Sequence, residues 1–420
     1  MGDLQNPGRP SILPRLLEPV VERALRLFPV VVVTGARQTG KSTLVREFGT
    51  LAKRRYLTMD TAATRGLAAA EPDTFLRNAE TGKLTIDEVQ RAPELLLAIK
   101  ERVDADRSNG RFLLTGSANL LLTHRVSESL AGRARYLTLW PMTRREQLGL
   151  AACGIWGRLF ADKRSAWLDF IAAQDTPHEP WQRLAIRGGY PAPALLYPDE
   201  HQDADRAELF TGYTQTYLER DLRDLAAIDG LYDFQRLMRA VCLRLGTVLN
   251  QTELARDTGL PRTTVQRYLN LLEISYQLVR LEPYAVNRTK RLVKSPKVYW
   301  SDTGLALHLS EASMPSGPHL ENLVCNDLFA WREAETMRPS IMFWRTSSGE
   351  EVDFVIEWKG KLVGVEVKAT QSVGYNAAKA LRVFLQEYGP NSLGGLILYG
   401  GQETFWISEG VLVTPWWRVI

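Results

Sequence analysis

The feature that most constrains this chain is a glycine-rich segment between an apolar strand and a helix. The valines of Val30–Val33 predict a buried strand, and after Thr34 the chain reads G-A-R-Q-T-G-K-S-T. A strand, a G-x-x-x-x-G-K-[ST] loop and a helix in this order form the Walker A pattern, in which glycines let backbone N–H groups approach phosphate oxygens. The predicted phosphate loop comprises Gly35, Ala36, Arg37, Gln38, Thr39, Gly40, Lys41, Ser42 and Thr43.

The residue types of this loop predict ATP with Mg²⁺ as the ligand. Lys41 is placed to reach the β and γ phosphates, and the Ser42 hydroxyl is placed to ligate the metal. A helix that begins at Lys41 also points the positive end of its dipole at the phosphates. The alternative is an incidental Gly-rich turn, and the flanking strand and helix argue against it.

A second motif, Leu84–Glu88, is a short apolar strand that ends in two carboxylates, as in the Walker B pattern. Asp87 would support Mg²⁺ through water, and Glu88 would orient the attacking water. The alternative is that both acids cap the next helix. That interpretation is the weaker one because Pro93 begins the helix several residues later.

A third apolar strand, Phe112–Thr115, ends in small polar residues where a sensor of the γ-phosphate would lie, between the phosphate loop and the acidic strand. Ser117 is the first candidate for the sensor and Asn119 the second. Arg133, with Arg135 nearby, is a candidate for the cation that stabilises charge on the transferred phosphoryl group. An ordinary surface arginine is an equal alternative. The sequence leaves open whether the arginine acts in its own chain or across a homo-oligomer.

Composition limits the class of protein. The 420 residues exceed what one core supports, and 45% hydrophobic and 24% charged residues are typical of a globular chain. Three scattered cysteines predict neither disulfides nor a zinc site. We expect no membrane partner, since no apolar run approaches roughly 18 residues, and a cytoplasmic location. A net charge of +4 is too small to predict a polyanionic partner by itself.

The secondary-structure pattern predicts three domains. Short strands alternating with helices predict an α/β domain with a parallel sheet over residues 1–155. A helical and winged helix-turn-helix domain is expected over 156–310, and an α+β domain over 311–420. Glu311–His319, which contains two prolines, is the predicted linker between the last two.

The middle domain contains a predicted helix-turn-helix. Gln251–Asp257 and Pro261–Ile274 flank a short turn, and two β-rich stretches follow on either side of a basic loop. Residues 231–300 carry twelve Lys and Arg against five Asp and Glu. Double-stranded DNA is one predicted partner, and a protein contact is an equal alternative. The candidate DNA-contacting residues are Arg262, Thr263, Thr264, Gln266 and Arg267 of the second helix, and Arg288, Lys290 and Arg291 of the basic loop.

The last domain contains a predicted hairpin that turns at Lys359-Gly360. With a two-residue turn, one register places two carboxylates opposite each other. Opposed carboxylates repel unless a cation bridges them, and two such oxygen donors beside a lysine suit a Mg²⁺-dependent phosphodiesterase. The alternatives are a solvated hairpin face, or a bulge at Gly360 that shifts the register. The predicted pairs are Trp358 with Lys361, Asp353 with Glu366, and Glu351 with Lys368.

These motifs resemble the bacterial and archaeal AAA+ ATPases that carry a C-terminal domain of unknown function, DUF4143. The resemblance covers nearly the whole chain and is most specific in the ATPase motifs. It implies an α/β P-loop NTPase domain of AAA+ type, a winged-helix middle domain and an α+β C-terminal domain. The segments that carry it are Thr34–Thr43, Leu84–Gln90, Leu114–Ser117, Ser129–Arg133, Leu139–Met142, Gly188–Pro191 and Tyr217–Asp221.

The C-terminal domain also resembles the PD-(D/E)XK nuclease fold. The resemblance implies that Asp353 and Glu366 hold a metal, that Lys368 positions or activates water, and that Glu321 supports the metal shell. No proline precedes Asp353 and no further catalytic residue is evident, which departs from the pattern. The alternatives to an active enzyme are a solvated hairpin face and a nuclease fold retained as a binding platform.

Three functions therefore follow from the sequence. The first is an ATP-hydrolysing switch or motor that acts on DNA. The second is a regulatory, signalling ATPase whose C-terminal modules bind protein. The third is an ATP-regulated, metal-dependent nuclease.

Overall fold

The N-terminal part of the chain folds around a parallel sheet with the strand order β2-β3-β4-β1-β5. The computed structural model describes residues 12–79, 82–117, 130–196, 203–216, 230–285 and 295–420. Val30 and Val32 pack on one face of this sheet, and Val31 and Val33 pack on the other, as expected for a strand covered on both sides. The strands are β1 (Val30–Thr34), β2 (Arg55–Thr58), β3 (Leu84–Asp87), β4 (Phe112–Thr115) and β5 (Ala134–Thr138).

The predicted α/β P-loop class is confirmed by this sheet. The sensor strand β4 lies between β1 and β3, and all four strand pairs are parallel. The carboxyl ends of all five strands therefore meet at one edge. The helices are α1 (Glu18–Leu27), α2 (Lys41–Glu47), α3 (Ala62–Ala70), α4 (Pro72–Ala79), α5 (Glu94–Ala105) and α6 (Arg144–Gln147).

The middle of the chain is helical. Its core combines helices on either side of a two-stranded antiparallel sheet, β6 (Leu278–Leu281) with β7 (Lys297–Trp300). The predicted helix, turn and helix are present before these strands. The helices are α7 (Trp156–Ala161), α8 (Trp167–Ala172), α9 (Trp181–Arg187), α10 (Pro191–Leu196), α11 (Asp203–Thr216), α12 (Leu231–Cys242), α13 (Gln251–Thr258), α14 (Arg262–Ile274) and α15 (Thr303–Ser310).

The C-terminal part is an α+β unit built on a six-stranded mixed sheet of order β12-β13-β11-β10-β9-β8. Its hairpin and first strands were predicted, whereas the last two strands were not. The elements are α16 (Gly317–Ala334), β8 (Ser340–Arg345), β9 (Glu351–Trp358), β10 (Lys361–Lys368), α17 (Lys379–Tyr388), β11 (Ser392–Tyr399), β12 (Phe405–Ser408), β13 (Val411–Pro415) and α18 (Trp416–Val419).

Packing crosses the predicted domain borders. Trp156 and Trp167, the first residues of α7 and α8, are buried in the same apolar cluster as Phe354 and Leu396 of the C-terminal sheet. Helices α7 and α8 therefore share a core with the C-terminal unit. The domain borders at 155 and 310 stay a prediction.

The predicted linker is shorter than expected. Helix α16 begins at Gly317 with a proline in its first turn, three residues before the predicted start at Leu320. Proline is tolerated there because the first helical N–H groups have no partner within the helix. The Ser316 N–H donates to His319 Nδ1 at 3.1 Å. The Ser316-Gly317-Pro318 run therefore starts a helix and does not form a linker.

Helix α16 also reaches the ATPase sheet. Its Glu333 Oε1 accepts a hydrogen bond from the Thr138 N–H of the edge strand β5 at 2.9 Å. The neighbouring Arg338 donates to the Tyr136 carbonyl of the same strand at 3.2 Å. Within the described ranges, we find no helix long and apolar enough to cross a bilayer.

Candidate functional site

The two sequence motifs of the ATPase part converge at the carboxyl edge of the parallel sheet. Ser42, at the start of α2, donates a hydrogen bond from Oγ to Asp87 Oδ1 at 3.1 Å. Ser42 follows β1 and Asp87 ends β3, so the sheet brings together two residues 45 positions apart. Hydroxyl and carboxylate oxygens are hard donors that suit Mg²⁺, and this pair fits the predicted metal.

Asp87 is oriented by two further hydroxyl groups. Tyr56, on the neighbouring β2, donates to Asp87 Oδ2 at 2.6 Å, and the Thr115 hydroxyl donates to Oδ1. Burial, together with the Asp87 carboxylate, raises the pKa of Tyr56 above its usual range, so Tyr56 stays a donor. Asp87 is 2% exposed, and these donors compensate the cost of burying it.

The phosphate loop adopts the backbone that its glycines permit. Gly40, directly before α2, has a φ of 93°, and Gln38 has a φ of 60°. The Lys41 ammonium donates to the carbonyls of Gly35 at 3.1 Å and Ala36 at 2.7 Å. Lys41 therefore points back over the loop, which is the side on which the loop N–H groups would hold phosphates.

Glu88 is held by a glutamine that the sequence did not single out. Gln90 Nε2 donates to Glu88 Oε2 at 2.5 Å and to Ser117 Oγ at 3.2 Å. The Glu88 N–H in turn donates to Thr115 Oγ1 at 3.2 Å, and Glu88 has a φ of 56°. The predicted water-orienting acid and the predicted sensor thus lie on either side of one side chain. Asn119, the second sensor candidate, lies outside the described residues.

An apolar cavity of about 270 Å³ opens beside Gly40 and Thr43 of the phosphate loop. Arg15 anchors the segment before α1 against the loop, donating to the Thr39 carbonyl at 2.8 Å and to Glu146 Oε1 at 3.0 Å. The apolar walls of the cavity include Ile12, Leu13, Phe48, Met142, Pro191 and Leu195.

The two arginine candidates do not lie at the phosphate loop of their own chain. Arg133 precedes β5, and its carbonyl accepts from the N–H of Val30, the first residue of β1. It therefore lies at the opposite edge of the sheet, roughly 15 Å away along a five-residue strand. Its guanidinium pairs with Asp104 at 2.6 Å, and Arg135 lies in the field of Arg338 and Glu333. In this arrangement Arg133 does not reach the phosphate loop of its own chain.

The candidate DNA-contacting residues of α14 lie on one side of that helix. Val265 and Leu269 are buried in the helical core, whereas Arg262 and Arg267 are exposed. Neither arginine has a carboxylate partner among the described residues. Thr263 is exposed, and Thr264 and Gln266 are half-buried. The other three candidates, Arg288, Lys290 and Arg291, lie outside the described residues.

Several other basic residues of this region are neutralised by acids. Arg236 pairs with Asp233 at 2.9 Å, Arg239 with Glu311 at 2.7 Å, and Arg280 with Glu273 at 3.4 Å. The surplus positive charge counted from the sequence is therefore only partly available to a polyanion. Among the described residues, Arg262 and Arg267 of α14 are exposed and have no such partner.

The hairpin of the C-terminal sheet has the predicted register from Trp358 to Phe354, and the predicted pairs of Asp353 with Glu366 and of Glu351 with Lys368 lie beyond this ladder. Trp358 pairs with Lys361, and the ladder continues to Phe354 opposite Val365. Lys359 and Gly360 have φ values of 51° and 74°, as a two-residue turn requires. The next positions in this register are Asp353 and Glu366, and Lys368 Nζ lies 2.9 Å from Glu366 Oε2.

A lysine that was counted among the twelve basic residues of the middle domain lies inside this acidic site. Lys297 of β7 is 1% exposed in its side chain and pairs with three carboxylates. Burial works against its charge, but the carboxylates of Asp353, Glu321 and Glu351 raise the pKa of Lys297 above its usual value. Its distances are 3.0 Å to Glu321, 2.6 Å to Glu351 and 3.1 Å to Asp353.

The sequence carried no local signal for several of these contacts. Thr115 was part of the sensor strand, but its hydrogen bond to Asp87 depends on the order of β3 and β4. Tyr56 contacts Asp87, which lies 31 positions further along the chain. Lys297 contacts Glu321 and Asp353, which lie 24 and 56 positions further along. Only the i, i+2 spacing of Glu88 and Gln90 was readable locally. Among the described residues, no group of three His, Cys, Asp or Glu side chains has an arrangement suited to a metal ion.

The fold and the converging motifs define a P-loop ATPase of the AAA type, and comparison with known proteins agrees. Residues 27–148 match the AAA domain family, and residues 316–419 match DUF4143. Residues 178–316 match a second domain of unknown function, DUF8612.

Two mycobacterial proteins are similar over most of their length. Uncharacterized protein Rv2008c of Mycobacterium tuberculosis is 30% identical over 406 residues, which cover 94% of this chain and 82% of that protein. Uncharacterized protein Mb2031c of Mycobacterium bovis gives the same values. The chain belongs to the family of bacterial AAA ATPases that carry a C-terminal DUF4143 domain.

Two solved structures are more distant. The Walker-type ATPase PABY2304 of Pyrococcus abyssi has a TM-score of 0.46 at 17% identity, over 73% of this chain and 99% of that one. A RuvB variant of Thermotoga maritima has a TM-score of 0.27 at 17% identity, over 63% of this chain and 88% of that one.

Proposed function

We propose that this protein is an ATP-hydrolysing switch that acts on double-stranded DNA. The observation that carries the ATPase assignment is the 3.1 Å contact between Ser42 Oγ and Asp87 Oδ1 at the mouth of the phosphate loop. Ser42 and Asp87 would hold Mg²⁺, which neutralises phosphate charge when bound. When nucleotide binds, the Lys41 ammonium would exchange its hydrogen bonds to the Gly35 and Ala36 carbonyls for hydrogen bonds to phosphate oxygens.

The remaining site residues fit hydrolysis. Glu88 would orient a water molecule, and Ser117 would report on the terminal phosphate. Gln90 contacts both, so its side chain must rearrange when nucleotide and water enter. The apolar cavity beside Gly40 and Thr43 suits the adenine base, because bases bind in apolar clefts next to a phosphate site. From its position in this arrangement, Arg133 could contact a bound phosphoryl group only if that group were held by another subunit of a homo-oligomer.

Coupling to the helical part is supported by a direct hydrogen bond. Tyr276, between α14 and β6, donates to Thr34 Oγ1 at 2.8 Å, one residue before the phosphate loop. Trp140 packs edge-on against Tyr276 at 6.2 Å and against Phe329 of α16 at 5.5 Å between ring centroids. A shift of the loop on nucleotide exchange would therefore reach all three parts of the chain.

DNA is favoured as the partner by the two exposed arginines of α14. Arg262 and Arg267 have no described counter-ion, and guanidinium groups on an exposed helix suit phosphate contacts. A regulatory ATPase with a protein partner is the second candidate, because the ion pairs of Arg236, Arg239 and Arg280 leave a surface of mixed charge.

The direct test is ATP turnover by purified protein. We expect Lys41→Ala to abolish nucleotide binding, measured with a fluorescent ATP analogue. We expect Glu88→Gln to keep binding and to lose at least about 100-fold in turnover, as for a group that acts only in the transition state. Lys53→Ala, an exposed lysine before β2, serves as the control. Turnover that persists in both site variants would contradict the assignment.

A further inference from the structure

The acidic site of the C-terminal sheet already holds a cation that the chain itself supplies. The Lys297 ammonium lies between Glu321, Glu351 and Asp353 at 2.6 to 3.1 Å, and we call these three carboxylates the acidic cluster. They come from α16 and β9, whereas Lys297 comes from β7 of the helical part. The contact therefore joins two separate parts of the fold.

The metal that the nuclease resemblance implies does not fit this arrangement. A divalent ion takes oxygen ligands at about 2.0 to 2.6 Å, and the ammonium already occupies the point on which the oxygens of the acidic cluster converge. A second cation there would meet a buried positive charge at close range. Asp353 Oδ1 accepts from Lys297, and Asp353 Oδ2 accepts from the Val367 N–H at 3.0 Å. Lys368 Nζ lies 2.9 Å from Glu366 Oε2, so both carboxylates that the resemblance assigns to the metal already have cationic partners within the chain.

Lys297 is also fixed by its backbone. It pairs with Leu281 in the two-stranded sheet, and two residues on, the Tyr299 hydroxyl donates to Glu321. Asn322 of α16 accepts from the Trp300 N–H and donates to the Trp300 carbonyl, both at 2.7 Å. The strand that carries the lysine is therefore held to α16 through Lys297, Tyr299 and Trp300.

We propose that Lys297 permanently replaces the divalent metal of the nuclease-like site, and that the C-terminal domain is a non-catalytic module ionically locked to the helix-turn-helix part. The charge that a metal would balance is balanced from within the chain. Loss of a buried cation among three carboxylates leaves repelling charges that must find another counter-ion. Removal of the lysine should therefore turn the acidic cluster into a metal site.

The experiment measures Mn²⁺ binding by electron paramagnetic resonance on the full chain without nucleotide. We expect Lys297→Ala to gain a site at least about tenfold tighter than that of the double variant Lys297→Ala/Asp353→Asn, which lacks one ligand. Any Mn²⁺ bound at the phosphate loop is the same in these two variants, so it does not contribute to the difference between them. Mn²⁺ should also raise the thermal midpoint of Lys297→Ala by roughly 5 °C, but not that of the control Lys361→Ala. A folded Lys297→Ala protein without this gain would overturn the proposal.

The wild-type protein provides a second arm that does not depend on the folding of a variant at Lys297. We expect wild type and Asp353→Asn to bind Mn²⁺ equally and to leave supercoiled plasmid equally intact in Mn²⁺, with and without ATP. Nicking or Mn²⁺ binding by wild type that Asp353→Asn loses would overturn the proposal. The ATPase assay is unaffected by either result, so the proposed function is judged separately.

Discussion

Tyr276 and Thr34 are joined by a 2.8 Å hydrogen bond between side chains that lie 242 residues apart. Tyr276 has a φ of 59°, an uncommon conformation for a residue with a bulky side chain. Burial raises the pKa of its hydroxyl, which keeps it protonated and able to donate. The residue before the phosphate loop is thus held by the helical part through a neutral contact that pH near 7 does not alter.

Tyr276→Phe should uncouple the two parts. We expect basal ATP turnover within about twofold of wild type, a loss of stability of about 1 kcal/mol for one buried hydrogen bond, and a smaller change in turnover when duplex DNA is added. The measurements are steady-state ATPase assays with and without DNA, and urea unfolding. Tyr232→Phe, at an exposed tyrosine of α12, is the matched control. An undiminished DNA response in Tyr276→Phe would refute the coupling.

Thr115 should be more important to hydrolysis than its place in an apolar strand indicates. It donates to Asp87 and accepts from the Glu88 N–H, so it orients both acids. We expect Thr115→Val to lower kcat at least about tenfold, equivalent to one hydrogen bond of about 1.4 kcal/mol, and Thr115→Ser to retain most of it. Steady-state kinetics with a thermal melt of each variant separates this effect from misfolding. Equal rates for the two variants would contradict the role.

The exposed face of α14 predicts a salt-dependent contact with DNA. We expect Arg262→Ala/Arg267→Ala to weaken duplex binding and to lower the slope of log K against log salt by about 2, one for each phosphate contact. Fluorescence anisotropy between 50 and 200 mM salt measures this slope. Lys53→Ala/Lys83→Ala removes the same charge at exposed positions before β2 and β3. If both double variants behave alike, α14 has no special role.

Asp327 gives stability a defined pH dependence. Its Oδ1 accepts from the Gly154 N–H at 2.7 Å and Trp156 Nε1 at 2.6 Å, and burial raises the pKa of Asp327 to about 6. Because the folded state holds this proton more tightly than the unfolded chain does, its contribution is greatest at low pH. That contribution is lost as the pH rises from about 4 to about 6.

Asp327→Asn should remove this dependence. We expect the free energy of unfolding of wild type, relative to Asp327→Asn, to fall by about 1 kcal/mol between pH 5 and pH 7.5. Urea unfolding at several pH values measures the difference. Asp106→Asn, at an exposed aspartate, is the control for the charge change itself. A pH-independent difference for Asp327→Asn would mean that its carboxyl titrates normally.

Local patterns predicted the parts of the fold that neighbouring residues determine. The Walker A loop depends on a strand, glycines and a helix that are contiguous, and the hairpin register depends on the two residues Lys359 and Gly360 alone. Both were therefore readable from sequence. The Ser316-Gly317-Pro318 run was misread because the same residues favour a linker and the first turn of a helix.

Contacts between distant elements were not readable in the same way. Arg133 lies before β5, which runs parallel to β1, and therefore at the sheet edge opposite the phosphate loop. Its ion pair with Asp104 depends on how α5 packs beside that edge. Lys297 counted as one of twelve basic residues near a predicted wing. Its burial depends on how β7 packs against α16 and β9, which is a property of the tertiary structure.

The contacts of α16 with the rest of the molecule bear on how this protein can be dissected. A fragment that stops near residue 155 would lose Glu333, whose carboxylate caps the Thr138 N–H, and would expose strand β5 as a free edge on which other chains can pair. A fragment that begins near residue 311 would bury three carboxylates with no lysine between them. Fragments cut at the borders predicted from sequence should therefore aggregate or misfold, and the whole chain is the proper unit for biochemistry.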